Sequence, residues 1–179
     1  MKKLSLYLTF IIVLAVSCRD VDRLNVKPGI GIDNLTFLNS DTNDIRKYRG
    51  LDFVKRSGKS VVDGPAWACY EQSTRFINDS LGITFVFSTP CVKHVDSAKQ
   101  VFVNVSLYKT PNACLSDNLC IGSATRGNVI KHLGEPLKAY EQISGQVDLY
   151  YDYLELHFSC DTLNWIKIYT NQKLEHQLR

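Results

Sequence analysis

The sequence predicts an α+β fold made of two tandem repeats, each a short helix packed on an antiparallel meander of three to four strands. Two observations lead to this class. Segments of the first half align with segments of the second half in the same order, and each half carries helix-capping signals followed by strand-like alternation. Because a half-buried sheet needs a covering layer, a helix laid across each meander is the economical packing.

Three pairs of segments carry the repeat. "NLTFLNSDTNDIRKYRG" lies over "NLCIGSATRGNVIKHLG", "RFINDSLGITF" over "DLYYDYLELHF", and "VFVNVS" over "NWIKIY". In these pairs Leu35 falls on Leu119, and Phe85 falls on Phe158. All three pairs occur in the same order along the chain, so two length changes in loops account for the differences in spacing. The alignment therefore indicates an internal duplication.

Each repeat has the signals of one short helix. In the second repeat Ser123 is the candidate N-cap, residues 124–133 form the helix, and Gly134 stands where a helix terminus favours glycine. In the first repeat Ser40 and Gly50 take the same places. Both helices are expected to be structural elements.

Three strand candidates follow the second helix, namely "QVDLYYDY", "LELHFSC" and "NWIKIYT". They are rich in aromatic and β-branched residues and alternate with period two. In the middle candidate, Leu154, Leu156 and Phe158 point one way while Glu155 and His157 point the other. We therefore expect one buried and one exposed sheet face.

The N-terminus reads as an export signal. Two lysines precede a 13-residue apolar run, which is too short for a membrane-spanning helix and fits a signal peptide over residues 1–17. The run ends in "LAVSC", which resembles the lipobox of bacterial lipoproteins and predicts acylation of Cys18. The alternative is an ordinary secretory peptide with an incidental cysteine. Residues 18–31 are mixed in charge and are expected to form a flexible tether.

The remaining chain is divided into repeat unit 1 at residues 32–110, repeat unit 2 at residues 111–171, and a polar C-terminal tail at residues 172–179. The whole chain has 21 basic and 18 acidic residues, and removal of the signal peptide takes two lysines, which leaves a mature charge of +1. No basic stripe remains that could follow a nucleic-acid backbone, so nucleic acid is not an expected partner.

Five cysteines follow Cys18, and disulfides are the expectation for an exported protein. "STRFINDSLGITFVF" reads as a hairpin that turns near Asp79 and Ser80, so paired residue numbers sum to about 160. This register brings Cys69 opposite Cys91 and predicts a disulfide between them. Pairing of Cys114, Cys120 and Cys160 stays open. A metal site at "CVKH" is the alternative, but no matching second ligand pair is visible.

Motifs of catalysis are not visible in the sequence. "NLCIGSATRGNVIKHLGEP" has one glycine before its helix and lacks the Gly-Lys-Ser/Thr run of a phosphate loop. The chain has neither a Gly-x-Ser-x-Gly nor a His-Glu-x-x-His motif. Of the four histidines, only His94 lies in a loop beside a cysteine. The expectation is a non-enzymatic protein without a cofactor or metal.

The motifs "GSATRGNVIKHLGEP" with "LYYDYLELHF", and "NSDTNDIRKYRG" with "RFINDSLGITF", resemble the tandem-repeat fold of the β-lactamase-inhibitory protein family. They are also similar to SmpA/OmlA-type outer-membrane lipoproteins and to small lipoproteins of Bacteroides-like bacteria. The resemblance implies protein binding by sheet faces or support of envelope assembly. This chain has "GSA" and "NSD" where the inhibitory family carries "GMT", and no inhibitor contact residue is carried over.

The expected function is therefore a membrane-anchored, non-enzymatic protein-binding lipoprotein, placed at the outer membrane and facing the periplasm. Aromatic residues crowd the second meander, and such residues favour partner surfaces. Tyr151 and Tyr153 are the first candidates for partner binding, on the assumption that they point outward; the alternative is that these aromatics are core. Other functions left open are a passive structural or assembly-support role, a small-ligand binder and an enzyme.

Overall fold

Strands make up most of the described chain. The computed structural model describes residues 23–64, 67–89, 100–110 and 112–170. Within these ranges there are twelve strands: β1 (Leu24–Lys27), β2 (Gly31–Ile32), β3 (Leu35–Thr36), β4 (Val54–Gly64), β5 (Trp67–Asn78), β6 (Ile83–Ser88), β7 (Val101–Tyr108), β8 (Ala113–Cys114), β9 (Lys138–Glu141), β10 (Gln146–Tyr151), β11 (Leu154–Ser159) and β12 (Thr162–Tyr169). The helices are α1 (Thr42–Lys47), which continues into a 3-10 turn (Tyr48–Gly50), and α2 (Arg126–Leu133).

The strands form two sheets. The large sheet has eight strands in the order β4-β5-β6-β7-β12-β11-β10-β9, and every neighbouring pair in it is antiparallel. The small sheet has four strands in the order β3-β2-β1-β8, with a parallel pair between β1 and β8. At the centre of the large sheet, β7 pairs with β12 in a register that sets Val105 opposite Ile168.

The predicted fold class is wrong. The described residues are mostly β, with 52% in strands and 14% helical, and they do not form two helix-plus-meander repeats. Two features of the sequence were not recognised. Residues 54–64 form a long edge strand, and residues 24–36 with 113–114 form a second sheet. The strands of the first half and those of the second half form one sheet, because β7 pairs with β12. This pairing gives hydrogen-bond partners to backbone groups that would otherwise be unpaired at two sheet edges.

The core lies on the inner face of the large sheet, where the small sheet and the helices cover it. Phe102 of β7 is fully buried and touches the rings of Phe37, Phe85 and Phe87 at centroid distances of 4.9, 5.8 and 5.3 Å. A single cluster of buried residues includes Ile32 from the small sheet and Val129 from α2. One contiguous core therefore spans both halves of the chain.

The flexible tether predicted for residues 18–31 is wrong for its second half. Residues 24–27 form β1, and alternate residues Leu24 and Val26 are buried while Asn25 and Lys27 are exposed. This four-residue alternation was hidden in a segment of mixed charge, but it is enough to place a strand against the core. Cys18 and residues 19–22 lie outside the described residues.

Both helices begin later than predicted. The N-cap of α1 is Asp41, whose carboxylate accepts from the backbone N–H of Asn43 and Asp44 in a capping box. The N-cap of α2 is Thr125, which accepts from the backbone N–H of Asn128 at 3.3 Å. The end of α2 agrees with the prediction, since Gly134 has φ of 82° in the region that favours glycine.

Local strand predictions are confirmed where the alternation is clear. The three candidates of the second meander correspond to β10, β11 and β12. The predicted hairpin is formed by β5 and β6, and its paired residue numbers sum to 161. Its turn needs Gly82, because a Cβ there would lie 1.9 Å from the carbonyl oxygen of Tyr108.

The direction of the strands defines two ends of the large sheet. At the first, β7 ends and β12 begins, and the backbone N–H of Leu24 donates to the carbonyl of Asn112 at 3.0 Å. The turns at 79–82, 142–145 and 160–161 lie at the same end. We call it the Leu24 end. The opposite Tyr153 end carries the turn between β10 and β11, and there Gly29 bridges Thr170.

Neither helix of the described chain has the length and apolar character needed to cross a bilayer.

Candidate functional site

The candidate site lies on the outer face of the large sheet, the side opposite the core. The face of β11 that carries Glu155 and His157 is less exposed than predicted, since Glu155 is 9% exposed and His157 is half-buried. Leu154, Leu156 and Phe158 are buried against the core, as predicted. Glu155 and His157 therefore project from the other side. Cross-strand registers set further polar and aromatic side chains beside them, and together these form the outer cluster: Asp148, Glu155, His157, Trp165, Lys167 and Tyr169.

Two cross-strand rows build the outer cluster. In the first row, His157 of β11 lies between Asp148 of β10 and Trp165 of β12. In the second row, Glu155 of β11 lies between Tyr150 of β10 and Lys167 of β12. Directly opposed residues on one sheet face are about 5 Å apart, so the register alone places their side chains in contact.

His157 is held on both ring nitrogens. Nδ1 is 2.5 Å from Oδ1 of Asp148, and Nε2 is 3.0 Å from Oε1 of Glu155. Its ring also stacks on Trp165, with 3.9 Å between the centroids and 29° between the planes. The contact between Nε2 and Glu155 is a hydrogen bond, and the contact between Nδ1 and Asp148 is a close approach to a carboxylate oxygen. The imidazole is therefore fixed in position by three contacts.

The carboxylate of Glu155 contacts three other side chains of the outer cluster. Besides His157, its carboxylate accepts a short hydrogen bond from the hydroxyl of Tyr169, and Nζ of Lys167 lies 3.5 Å away. Burial alone would raise the pKa of the Glu155 carboxyl, but the hydrogen bonds and nearby positive charge outweigh it and lower that pKa. Burial and the bond to the Glu155 carboxylate raise the pKa of the Tyr169 hydroxyl.

Aromatic rings surround the charges. Nζ of Lys167 lies 4.9 Å from the ring centroid of Tyr169 and 5.8 Å from that of Trp165, which are cation–π distances. The indole N–H of Trp165 donates to the hydroxyl of Ser106 on β7. Each long side chain thus has at least two contacts, and the cluster presents a preorganised surface of mixed charge and aromatic character.

Asn104 adds an unsatisfied polar atom next to the cluster. It lies on β7 opposite Tyr169, and its Oδ1 is buried without a hydrogen-bond partner among the described residues. A buried acceptor of this kind costs free energy unless something donates to it. Because the atom is buried, a partner that binds this face does not reach it in the present arrangement.

The two tyrosines predicted to bind a partner lie in different environments. Tyr151 packs on the core side, and its hydroxyl donates to the carbonyl of Gly134 at 3.1 Å. Tyr153 lies in the turn between β10 and β11 with φ of 60° and is 42% exposed. The assumption that both point outward is therefore wrong for Tyr151, because it occupies an inward position of β10.

The cysteine predictions are only partly within the described chain. Cys69 lies in β5 with its backbone opposite Val62, while Cys91 lies outside the described residues, as does His94. A disulfide joins Cys114 and Cys120, six residues apart, and Cys160 is an exposed free thiol. This settles the pairing that the sequence left open, since the turn at 115–119 returns the chain to β8.

Another polar cluster in the fold is structural. Asp33 accepts from the hydroxyl of Tyr48 at 2.7 Å, from Nε of Arg49 at 3.0 Å and from the backbone N–H of Asn25 at 2.9 Å. These bonds tie β1, the turn after β2 and the 3-10 turn together beside a shallow cleft of about 580 Å³. Burial and the Asp33 carboxylate raise the pKa of the Tyr48 hydroxyl. The carboxylate is fully used by the fold.

Sequence reasoning missed most of the outer cluster. It identified Glu155 and His157 as outward residues but did not connect them with Asp148 or Trp165, which lie on other strands. The sequence did show alternation in three consecutive strand candidates. The pairing register between these strands would have shown that Asp148, His157 and Trp165 are neighbours. No group of three or more histidine, cysteine or acidic side chains within the described ranges is arranged to hold a metal ion.

Comparison with protein-family models, with curated proteins and with solved structures gave no match to this chain.

Proposed function

We propose that this chain is a lipid-anchored, non-enzymatic protein-binding module of the cell envelope, held at the outer membrane on its periplasmic side. The anchor is the acylated Cys18 that "LAVSC" predicts after an export signal. The partner surface of the module is the outer face of the large sheet.

One observation carries the binding part of the proposal. Trp165, Tyr169 and Tyr150 lie together on the outer face, and each keeps part of its surface accessible to solvent. Tyrosine and tryptophan are enriched among the few residues that dominate the binding free energy of protein interfaces, because they bury a large area at a small cost in conformational entropy. A sheet holds them rigidly, so little ordering is left for binding.

The arrangement of polar groups supports the same role. The carboxylates of Asp148 and Glu155 are held in place by His157, and both residues are buried, with 8% and 9% of their surface exposed. These contacts hold the neighbouring aromatic rings in fixed positions, and such a surface is complementary to a partner that brings an apolar side chain.

Affinity purification of the full-length lipoprotein from envelope membranes tests the proposal. Trp165→Ala and Tyr150→Ala remove aromatic surface from the outer face, and Leu137→Ala is the control because Leu137 is 73% exposed and lies off that face. We expect the same co-purifying protein to be lost from both outer-face variants and kept by the control. Thermal unfolding of each variant checks that the fold survives.

A passive structural lipoprotein is the second candidate, and one observation favours it. Most polar groups of the outer cluster are already paired with one another, as in a surface that needs no ligand. In that case Trp165→Ala lowers stability without changing what co-purifies. This result would contradict the binding module and leave only the anchor.

A further inference from the structure

The short distance between the anchor and the folded domain limits how the domain can stand on the membrane. Cys18 precedes the first described residue, Arg23, by five residues. A fully extended chain gains about 3.5 Å per residue, so these five residues reach at most about 17 Å. This reach is less than the length of the eight-residue strand β12, which is about 24 Å.

The point at which the chain leaves the domain is fixed by three contacts. Arg23 pairs with Asp117, the backbone N–H of Leu24 donates to Asn112, and Leu24 pairs with Ala113 of β8. Asn112 follows closely on the end of β7. The exit point therefore lies at the Leu24 end of the large sheet and cannot move to the Tyr153 end without unfolding β1.

The Leu24 end displays apolar and aromatic side chains suited to a lipid interface. Ile143, at the tip of the turn between β9 and β10, is fully exposed with a relative accessibility of 110%. Tyr108, the last residue of β7, is 52% exposed, and Nζ of Lys109 lies 5.2 Å from its ring centroid. A tyrosine and a lysine of this kind suit the boundary between headgroups and acyl chains, where an amphipathic side chain keeps its polar tip in water.

We propose that the Leu24 end of the large sheet docks on the lipid bilayer, with Ile143 in the headgroup region. The proposal rests on the acylation of Cys18 put forward above. A single isoleucine binds a bilayer weakly, but the anchor keeps it at a high effective concentration at the surface, so a weak contact is enough.

The charged side chains at the Leu24 end limit how deeply this end can enter the bilayer. Asp117 is paired with Arg23, while Asp79 and Asp161 are exposed in neighbouring turns and Lys109 is exposed between them. Charged groups of both signs stay in the headgroup layer, because moving a charge into the acyl chains is energetically unfavourable. The contact is therefore superficial and involves Ile143 and Tyr108.

Docking at the Leu24 end orients the rest of the molecule. The strands then stand away from the bilayer, and the Tyr153 end is farthest from it. The outer cluster is turned to the side, where a periplasmic partner can reach it. Tyr153, which the sequence suggested as a contact residue, lies at the distal tip and stays accessible.

Spin labels on the full-length lipoprotein in vesicles of phosphatidylethanolamine and phosphatidylglycerol test the docking. The background variant is Cys160→Ser, which removes the exposed thiol, and its own signal is subtracted. Ile143→Cys places a label at the Leu24 end. Leu137→Cys is the matched control, because Leu137 is an apolar residue, 73% exposed, that precedes β9 at the Tyr153 end.

The readout is the ratio of collision rates with oxygen, which enters lipid, and with a nickel chelate, which stays in water. We expect this ratio at position 143 to exceed that at position 137 several-fold. Equal ratios with an acylated Cys18 in the same sample would overturn the docking alone. An unmodified Cys18, found by mass spectrometry, would overturn the proposed anchor and the docking together.

Discussion

At the scale of single residues, Glu155 carries the electrostatics of the outer face. Its carboxylate is shared by His157, Tyr169 and Lys167, and the residue is 9% exposed. Hydrogen bonds from charged or strongly polar donors are stronger than neutral ones, and a buried acceptor without its charge leaves the donors poorly paired. This single side chain therefore connects β11 with β12 on the outer face.

We predict that Glu155→Gln lowers the free energy of unfolding by about 2 kcal/mol at neutral pH, since charge-assisted bonds are replaced by neutral ones. The difference from wild type depends on pH. Because the pKa of Glu155 is lowered by folding, its stabilisation is present above the ordinary pKa of 4.5 and is lost as pH falls through the lowered value. Urea unfolding of both proteins at several pH values measures this.

The matched control for that prediction is Glu141→Gln on the edge strand β9. Glu141 has a side chain that is 72% exposed, and its carboxylate lies 3.8 Å from Arg126. An exposed ion pair of this kind contributes little, so we expect a change within about 0.5 kcal/mol. A Glu155→Gln effect that is the same at neutral pH and at about pH 3 would contradict the assignment, because the linkage requires it to shrink.

At the scale of elements, helix boundaries are decided by which hydroxyl reaches the first free N–H groups. Ser123 and Thr125 are both good N-cap residues and stand two positions apart. The backbone of Ser123 is used in a turn with Cys120, and Thr125 bridges Thr162 of β12, which places its Oγ1 over the helix start. Tertiary pairing therefore selects Thr125.

We predict that Thr125→Ala lowers the free energy of unfolding by about 1 kcal/mol, because the backbone N–H of Asn128 loses its acceptor. Ser123→Ala is the comparison, with an expected change within about 0.5 kcal/mol since its hydroxyl bonds only an exposed carbonyl. Denaturant titration of both variants gives the two values. A larger loss for Ser123→Ala than for Thr125→Ala would mean that the helix begins earlier in solution.

At the scale of the whole molecule, the central pair β7–β12 makes one sheet of the two meanders. Val105 of β7 is fully buried, and its neighbours across the sheet are Phe85 of β6 and Ile168 of β12. The packing around Val105 therefore joins side chains from both halves of the chain. The molecule should therefore unfold as one cooperative unit, unlike a pair of independent repeats.

We predict that Val105→Ala lowers stability by about 2 kcal/mol and that amide protection falls equally in β6 and in β10. Hydrogen exchange followed by mass spectrometry resolves the two regions. Val54→Ala on the edge strand β4 is the matched control, since Val54 is 57% exposed and the same methyl groups are removed at little cost. Loss of protection in β6 alone would mean that the two halves unfold separately.

The sequence alone determined the local elements, while the export signal over residues 1–17 stays a prediction. Period-two alternation identified β10 to β12, and turn residues located the hairpin between β5 and β6. These predictions depend on neighbours in the chain, so they can be read from one sequence. Prediction of the buried face of β11 succeeded for the same reason.

Only the tertiary structure decided the fold class and the candidate site. Contacts between distant segments decide that β7 pairs with β12. They also place Leu24 and Val26 in a strand against the core and turn Tyr151 inward. The outer cluster likewise exists only because a register aligns Asp148, His157 and Trp165 from three strands. A one-residue shift of register would move each side chain to the other face, so no pattern within a single strand can specify the site.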